Sequence, residues 1–247
     1  MKVRGLLAAL ALAALFAGCG DGGKPVRMIT EAAFPPYEFL RGDYEIVGVD
    51  VEICRAVAKR LGREFACDSI DFDSVLPAVM SGKAELAAAG ITVTERRKGL
   101  VDFSIPYVKA GIVVVYRKSN PFTGVSQLKG KRISVQAGTT SEDYVRNELG
   151  QEATGFGTAA EAIAGMKKGS FDFVIADIGV AKHCANGDPE LALSDFLTSE
   201  EYAIAIAKGQ PKLLAAINET ITELKANGAL AKWIEDYTVE ADNRRDD

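Results

Sequence analysis

The sequence predicts an α/β protein of two lobes, the second inserted into the first. Three observations lead there. Short apolar stretches alternate with helical patterns across residues 26–89. The same alternation restarts at 132 and runs to 177. Two further apolar stretches, 111–116 and 202–207, flank the second unit and read as a double crossover. Strands that alternate with helices form mainly parallel sheets covered by helices, and 247 residues suffice for two such lobes.

The elements follow in order. Residues 26–30 read as a strand, and 45–49 as a short extended piece before a helix with Asp50 as its N-cap. Ile53, Cys54, Val57 and Leu61 keep helical spacing until Gly62. Residues 64–70 are a strand. Asp73 or Ser74 caps the next helix, which tolerates Pro77 only near its first turn. Residues 84–89 are the third strand. In the second unit, 132–136 is a strand and 138–141 opens a helix ending at Gly150. Thr158 and Glu161 form a capping box for a helix to Gly169. Residues 171–176 form a strand that ends at Asp177. Pro211 starts an amphipathic helix that Asn227-Gly228 ends, and a helix with Trp233 closes the fold. Residues 239–247 are polar and expected to fray.

The N-terminus stands apart. Lys2 and Arg4 precede an apolar run, 6–16, of export-signal length and too short to span a bilayer. The run ends in Leu15-Phe16-Ala17-Gly18-Cys19, which resembles a bacterial lipobox. That implies removal of 1–18, lipid on Cys19, and 19–24 as a tether. A plain secretory signal with an incidental cysteine is the rival reading. Export implies an oxidising compartment. Cys54, Cys67 and Cys184 remain, without a CxxC pattern, so a metal site is not expected. Buried free cysteine is the default, and Cys54 with Cys67 is the one pair placed to meet.

Hydrophobic content of 48% and charged content of 26% are ordinary for a globular domain. A formal charge of −5 lacks the basic footprint of a nucleic-acid binder. There is no GxSxG and no phosphate loop: Gly130-Lys131 is followed by Arg132. His183, the single histidine, reads as solvated.

Residues 86–104, LAAAGITVTERRKGLVDFS, carry the first chemistry. Small residues ending at Gly90 let a backbone approach a ligand closely, and an arginine just beyond offers a planar fork for a carboxylate. Ligand sites in such sheets lie past the C-terminal ends of strands. The loop after residue 30, the segment 90–97, the segment 136–140 and Asp177 hold those places.

Several segments then resemble one family: 33–39 (AFPPYEF), 48–52 (GVDVE), 72–78 (FDSVLPA), 89–98 (AGITVTERRK), 102–107 (DFSIPY), 136–140 (QAGTT) and 176–177 (AD). In order and spacing they resemble extracytoplasmic solute-binding proteins of the polar amino-acid class, the receptors of ABC importers, over roughly residues 25–238. The resemblance implies the type II periplasmic-binding-protein fold. Lobe 1 would be 25–109 with 206–240, and lobe 2 would be 110–205. Hinge strands would lie near 107–116 and 200–207, with a tail at 241–247.

It also implies roles. Arg97, and not Arg96, would take the ligand carboxylate. Gly90 and Thr92 would add backbone and hydroxyl contacts to the amino and carboxylate groups beside Ala89, and Thr139 and Thr140 at a helix start would add N–H donors. Their other role is capping. Asp177 would pair with the α-ammonium, with N-capping as its ordinary alternative. Phe34 and Phe72 would wall the side chain. Glu31, with neutral Gln136 where a lysine would compensate it, points to arginine or lysine, then glutamine or histidine.

The expected partners are a free L-amino acid and the membrane permease of an ABC importer. No cofactor, no metal and no nucleic acid are expected, and the protein would be a lipid-anchored monomer in the periplasm or on the extracytoplasmic membrane face. Two alternatives share the fold. A dehydratase of cyclic carboxylic acids would need a general acid and no ammonium partner. A sensory receptor would share the binding chemistry.

Overall fold

The computed structural model describes residues 23–243. The export segment 1–18, Cys19, the start of the tether and residues 244–247 lie outside the described residues. The chain enters on β1 (Val26–Thr30), buried on both faces except at Arg27. A strand apolar on both faces belongs inside a sheet. β2 (Ala33–Phe34), β3 (Glu38–Arg41) and β4 (Glu45–Val47) form a small antiparallel sheet beside it, with a cis bond between Pro35 and Pro36.

α1 (Val49–Arg60) is capped by Gly48, not by Asp50. Gly48 sits at φ +131°, and a Cβ there would meet the Tyr37 carbonyl oxygen at 2.1 Å, so only glycine fits. Asp50 instead enters the helix and turns inward. Its Oδ2 accepts from the Gly90 N–H at 3.0 Å and from the Tyr107 hydroxyl at 2.7 Å. Glu38, also fully buried, faces it. Burial, reinforced by their mutual charge, pushes the Glu38 carboxyl well up, and burial takes Asp50 to about 6. One proton shared between the two carboxyls would join two of the three oxygens, both of Glu38 and Oδ1 of Asp50, that have no other partner among the described residues.

β5 (Phe65–Ser69), α2 (Phe72–Met80) and β6 (Leu86–Ala87) complete the first unit, with β1 parallel to both strands. α2 starts at Phe72 after an N-cap at Asp71, earlier than expected. Pro77 therefore falls in the second turn, where it deprives the Asp73 carbonyl of a donor. Both residues are exposed, so water can serve that carbonyl. α3 (Glu95–Lys98) and β7 (Asp102–Phe103) lead to β8 (Val108–Ala110) and β9 (Ile112–Arg117).

The second unit holds β10 (Ile133–Gln136), α4 (Thr140–Asn147), β11 (Thr154–Phe156), α5 (Ala159–Lys167), β12 (Phe173–Asp177), α6 (Ile178–Ala185) and β13 (Leu191–Leu193). The expected capping box is present: Thr158 Oγ1 accepts from the Glu161 N–H at 3.2 Å, and Glu161 accepts from the Thr158 N–H at 3.1 Å. The chain returns through β14 (Glu200–Tyr202) and β15 (Ala205–Ile206) to α7 (Pro211–Ala226) and α8 (Ala229–Asn243).

Two five-stranded sheets result, ordered β5-β1-β6-β15-β7 and β11-β10-β12-β9-β13. In each, the first three strands are mutually parallel and the last two pairings are antiparallel, so the fourth strand alone runs against the rest. β8 and β14 pair antiparallel outside both sheets, as the ribbon where the chain crosses between lobes. The single strand expected at 202–207 is thus two. β14 joins the crossing ribbon and β15 joins the first sheet.

α1, α7 and α8 pack together, burying Ile53, Val57, Ile217 and Ile221. Each such aliphatic contributes roughly 1.5–3 kcal/mol. Cys54 is buried and Cys67 half-buried, and both are free thiols. The chain does not fray at 239–243. α8 docks Ala241 against Phe39 and Val47, and Arg41 binds Glu240 through Nε at 2.7 Å and Nη2 at 2.6 Å. His183 is half-buried, its Nδ1 3.8 Å from Asp242, instead of solvated. Among the described residues no helix is long and apolar enough to cross a membrane.

Candidate functional site

Each lobe ends its strands toward the other. Glu31 follows β1, Gly90 follows β6, Gln136 closes β10 and Asp177 closes β12. These positions line one cleft. Every ligand residue expected from the sequence lines it.

Arg97 is placed by a short helix with a side-chain cap. Thr94 Oγ1 accepts from the Arg97 N–H at 3.2 Å and starts α3. Arg97 is only 3% exposed. Nη1 donates to the Thr92 carbonyl at 2.8 Å, and Nη2 crosses to the Gly138 carbonyl at 3.2 Å. Both acceptors are neutral, and the remaining N–H donors of the fork are left for a ligand. Phe72, the first residue of α2, lies under it, its ring centroid 5.6 Å from Cζ. Burial, then neighbouring Arg96, pulls the guanidinium down to about 10, opposed by Asp143 and Glu200. Arg96 is exposed, yet its Nη2 donates to Asp143 of α4 at 2.8 Å, across the cleft mouth.

Gly90 has φ +54°, and a Cβ there would stand 2.3 Å from Phe34 Cε1. The glycine thus lets the Phe34 ring lie against the backbone and form the cleft wall. Phe34 also belongs to an aromatic cluster, 5.4 Å from Tyr37 and 6.0 Å from Tyr202 between centroids. It is wall and core at once. Ala89 and Thr92 flank Gly90 on the same rim.

On the facing lobe, Asp177 caps α6, Oδ1 accepting from the Gly179 N–H at 2.7 Å. Burial raises its carboxyl to about 7, with Glu200 adding to the rise. The Tyr202 hydroxyl, also on this carboxylate, opposes the rise together with the Gly179 N–H. Glu31, 8% exposed, is likewise raised to about 7, by burial first and by Asp71 and Glu161 after it. Gln136 Nε2 donates to it at a long 3.5 Å and to the Gly157 carbonyl at 3.0 Å. Among the described residues no cation pairs with Glu31.

Thr139 and Thr140 occupy the start of α4, but neither side chain caps it. Thr139 Oγ1 donates to the Gln136 carbonyl at 2.7 Å, and Thr140 Oγ1 donates to Glu200 at 3.1 Å. The first N–H groups of α4 are therefore without a side-chain acceptor at the cleft, where an anion suits them. Sequence reasoning missed Ser141, Ala159, Ala176 and Val180 on the lining. Ser141 and Ala176 adjoin residues it selected, so adjacency was the available signal; Ala159 and Val180 carried none. It also missed Glu200, whose role depends on contacts made in three dimensions. Among the described residues no group of His, Cys, Asp and Glu is arranged to hold a metal.

A buried guanidinium, a half-buried carboxylate across from it and a second carboxylate that no cation among the described residues offsets, in one interlobe cleft, define a receptor site for a small zwitterion. The chain belongs to the bacterial extracellular solute-binding proteins, family 3, whose profile matches residues 26–240. It is similar to the arginine-binding extracellular protein ArtP of Bacillus subtilis, 32% identical with 87% of this chain and 86% of that protein covered. Among solved structures it resembles AbpA, an amino-acid ABC transporter substrate-binding protein of Streptococcus pneumoniae bound to L-arginine. There the TM-score is 0.82 at 33% identity, covering 90% of this chain and 96% of the other. It also resembles the arginine-, lysine-, histidine-binding protein ArtJ of Geobacillus stearothermophilus, with TM-score 0.81 at 29% identity, covering 87% and 95%. These relatives are named as binding proteins.

Proposed function

We propose that this protein is a non-enzymatic receptor that closes on a cationic L-amino acid, arginine before lysine, and delivers it to the permease of an ABC importer. The observation that carries the reading is the charge pattern: Arg97, Asp177 and Glu31 all line the cleft, and among the described residues no cation offsets Glu31. Arg97 and the N–H groups of α4 take the α-carboxylate. Asp177 takes the α-ammonium, Phe34 and Phe72 enclose the side chain, and Glu31 with Gln136 takes its cationic end. The lobes turn about the β8–β14 ribbon, and bridges such as Arg96–Asp143 and Arg97–Gly138 form on closure. Export ahead of Cys19, a lipid anchor there and a monomeric state complete the proposal.

A dehydratase reading has one observation in its favour, a Glu31 carboxyl near 7. Against it, Asp177 gives the cleft an ammonium partner that such a substrate lacks. The deciding experiment is a thermal-shift screen against the twenty amino acids, since a ligand that binds only the folded state raises its melting temperature. Arginine and lysine should give the largest shifts; silence with every amino acid would reject the receptor reading.

A further inference from the structure

Glu200 stands on β14, in the ribbon between the lobes, and its carboxylate accepts from three hydroxyls. Thr92 Oγ1 reaches Oε2 at 2.7 Å, Thr140 Oγ1 reaches the same oxygen at 3.1 Å, and Thr198 Oγ1 reaches Oε1 at 3.0 Å. Thr198 Oγ1 accepts in turn from the Ile112 N–H at 3.2 Å, which leaves its proton for Glu200. Thr92 follows β6 in one lobe and Thr140 begins α4 in the other, and both line the cleft.

A carboxylate only accepts, and a hydroxyl has a single proton to give. With that proton committed to Glu200, Thr92 and Thr140 turn only lone pairs toward a ligand. They can receive an N–H and have nothing to donate to a carboxylate. We propose that Glu200 is a positioning residue that sets the hydrogen-bond polarity of the cleft, holding Thr92 and Thr140 as acceptors and thereby selecting ligands that carry an α-ammonium. The carboxylate of the ligand is left to Arg97 and the α4 N–H groups. Glu200 also adds negative potential at Asp177, the other ammonium partner. One carboxylate on the hinge thus serves threonines of both lobes, so this polarity is complete only when the lobes are closed.

The inference rests on the receptor reading, and its test separates the two. Binding of L-arginine and of 5-guanidinopentanoic acid, the same molecule without the α-amino group, is measured by calorimetry for the wild type, Glu200→Met and Glu200→Asp. Methionine keeps the length but removes both acceptor oxygens, so the Thr92 and Thr140 protons lose their acceptor and turn into the cleft. In Glu200→Met, L-arginine affinity should fall about tenfold or more while the des-amino compound holds or improves, collapsing the preference between them. Glu200→Asp, still acceptor-only, should keep the preference even if both affinities drop. Should Glu200→Met not fold, Thr92→Val carries the same comparison, with the loss confined to L-arginine. Equal losses for both compounds would make Glu200 a closure tie only and overturn the proposal, as would no change. A wild type that binds neither compound would instead reject the receptor reading.

Discussion

At the residue scale, the cleft is lined by charged groups with little exposure to water. Arg97 is buried with only neutral acceptors. Arg97→Ala should cost about 2–5 kcal/mol of arginine affinity, the cost of removing one partner of a desolvated charge pair, as read by calorimetry. Unchanged binding would remove the carboxylate role. Glu31→Gln tests the other end. It should weaken arginine by about tenfold while affecting glutamine less, because only the guanidinium loses a charge-assisted bond. Equal losses for the two ligands would sink Glu31 as the selector of a cation. Arg97 and Asp177 were legible in the sequence because the family resemblance placed them and the chemistry of fork and carboxylate agrees. Glu200 was not legible. Its meaning comes from hydroxyls 108 and 60 residues away, at Thr92 and Thr140.

At the element scale, local chemistry marks some boundaries and packing moves others. The Thr158–Glu161 box is a local device, with both of its bonds formed within one turn, and it stood in the sequence as it stands in the fold. Thr158→Ala should cost about 0.5–2 kcal/mol of stability, seen in the midpoint of denaturant unfolding. Asp50 shows the opposite. By local preference it is an N-cap, but Gly48 starts α1 and Asp50 is drawn inward to the Gly90 N–H and the Tyr107 hydroxyl. The split of 202–207 into β14 and β15 has the same origin, since the two halves pair with different partners. The end of α8 was expected to fray by its polarity; Arg41 and the Phe39–Val47 face hold it instead.

At the scale of the whole molecule, the cleft couples protons, ligand and stability. Burial raises both Glu31 and Asp177 to about 7 from ordinary carboxylate values. The folded protein thus binds protons that the unfolded chain has released, so these groups contribute stability that is fully present below the ordinary carboxylate pKa. That contribution is lost as pH rises toward about 7. Thermal unfolding of the unliganded protein should show this fall between about pH 4 and 7. A bound cation reverses the balance by favouring the ionised forms. Arginine affinity should rise as pH increases through about 7, with protons released on binding, detectable by calorimetry in buffers of different ionisation enthalpy. Proton uptake, or a pH-independent affinity, would argue against contact with both carboxylates.

What the sequence determined by itself was everything encoded by neighbours: the alternating strands and helices, the glycines that end helices, the capping box, and the ordered motifs that single out Arg97, Asp177 and Gly90. What only the tertiary structure decided was how distant groups meet. It brought β1, β6, β10 and β12 end to end around one cleft, aimed Arg97 at Gly138, paired Asp50 with Glu38, and set Glu200 between Thr92 and Thr140. The physical reason is range. Backbone preference and capping act within a turn or two, whereas burial and charge act between groups that only the packing of two lobes brings within reach.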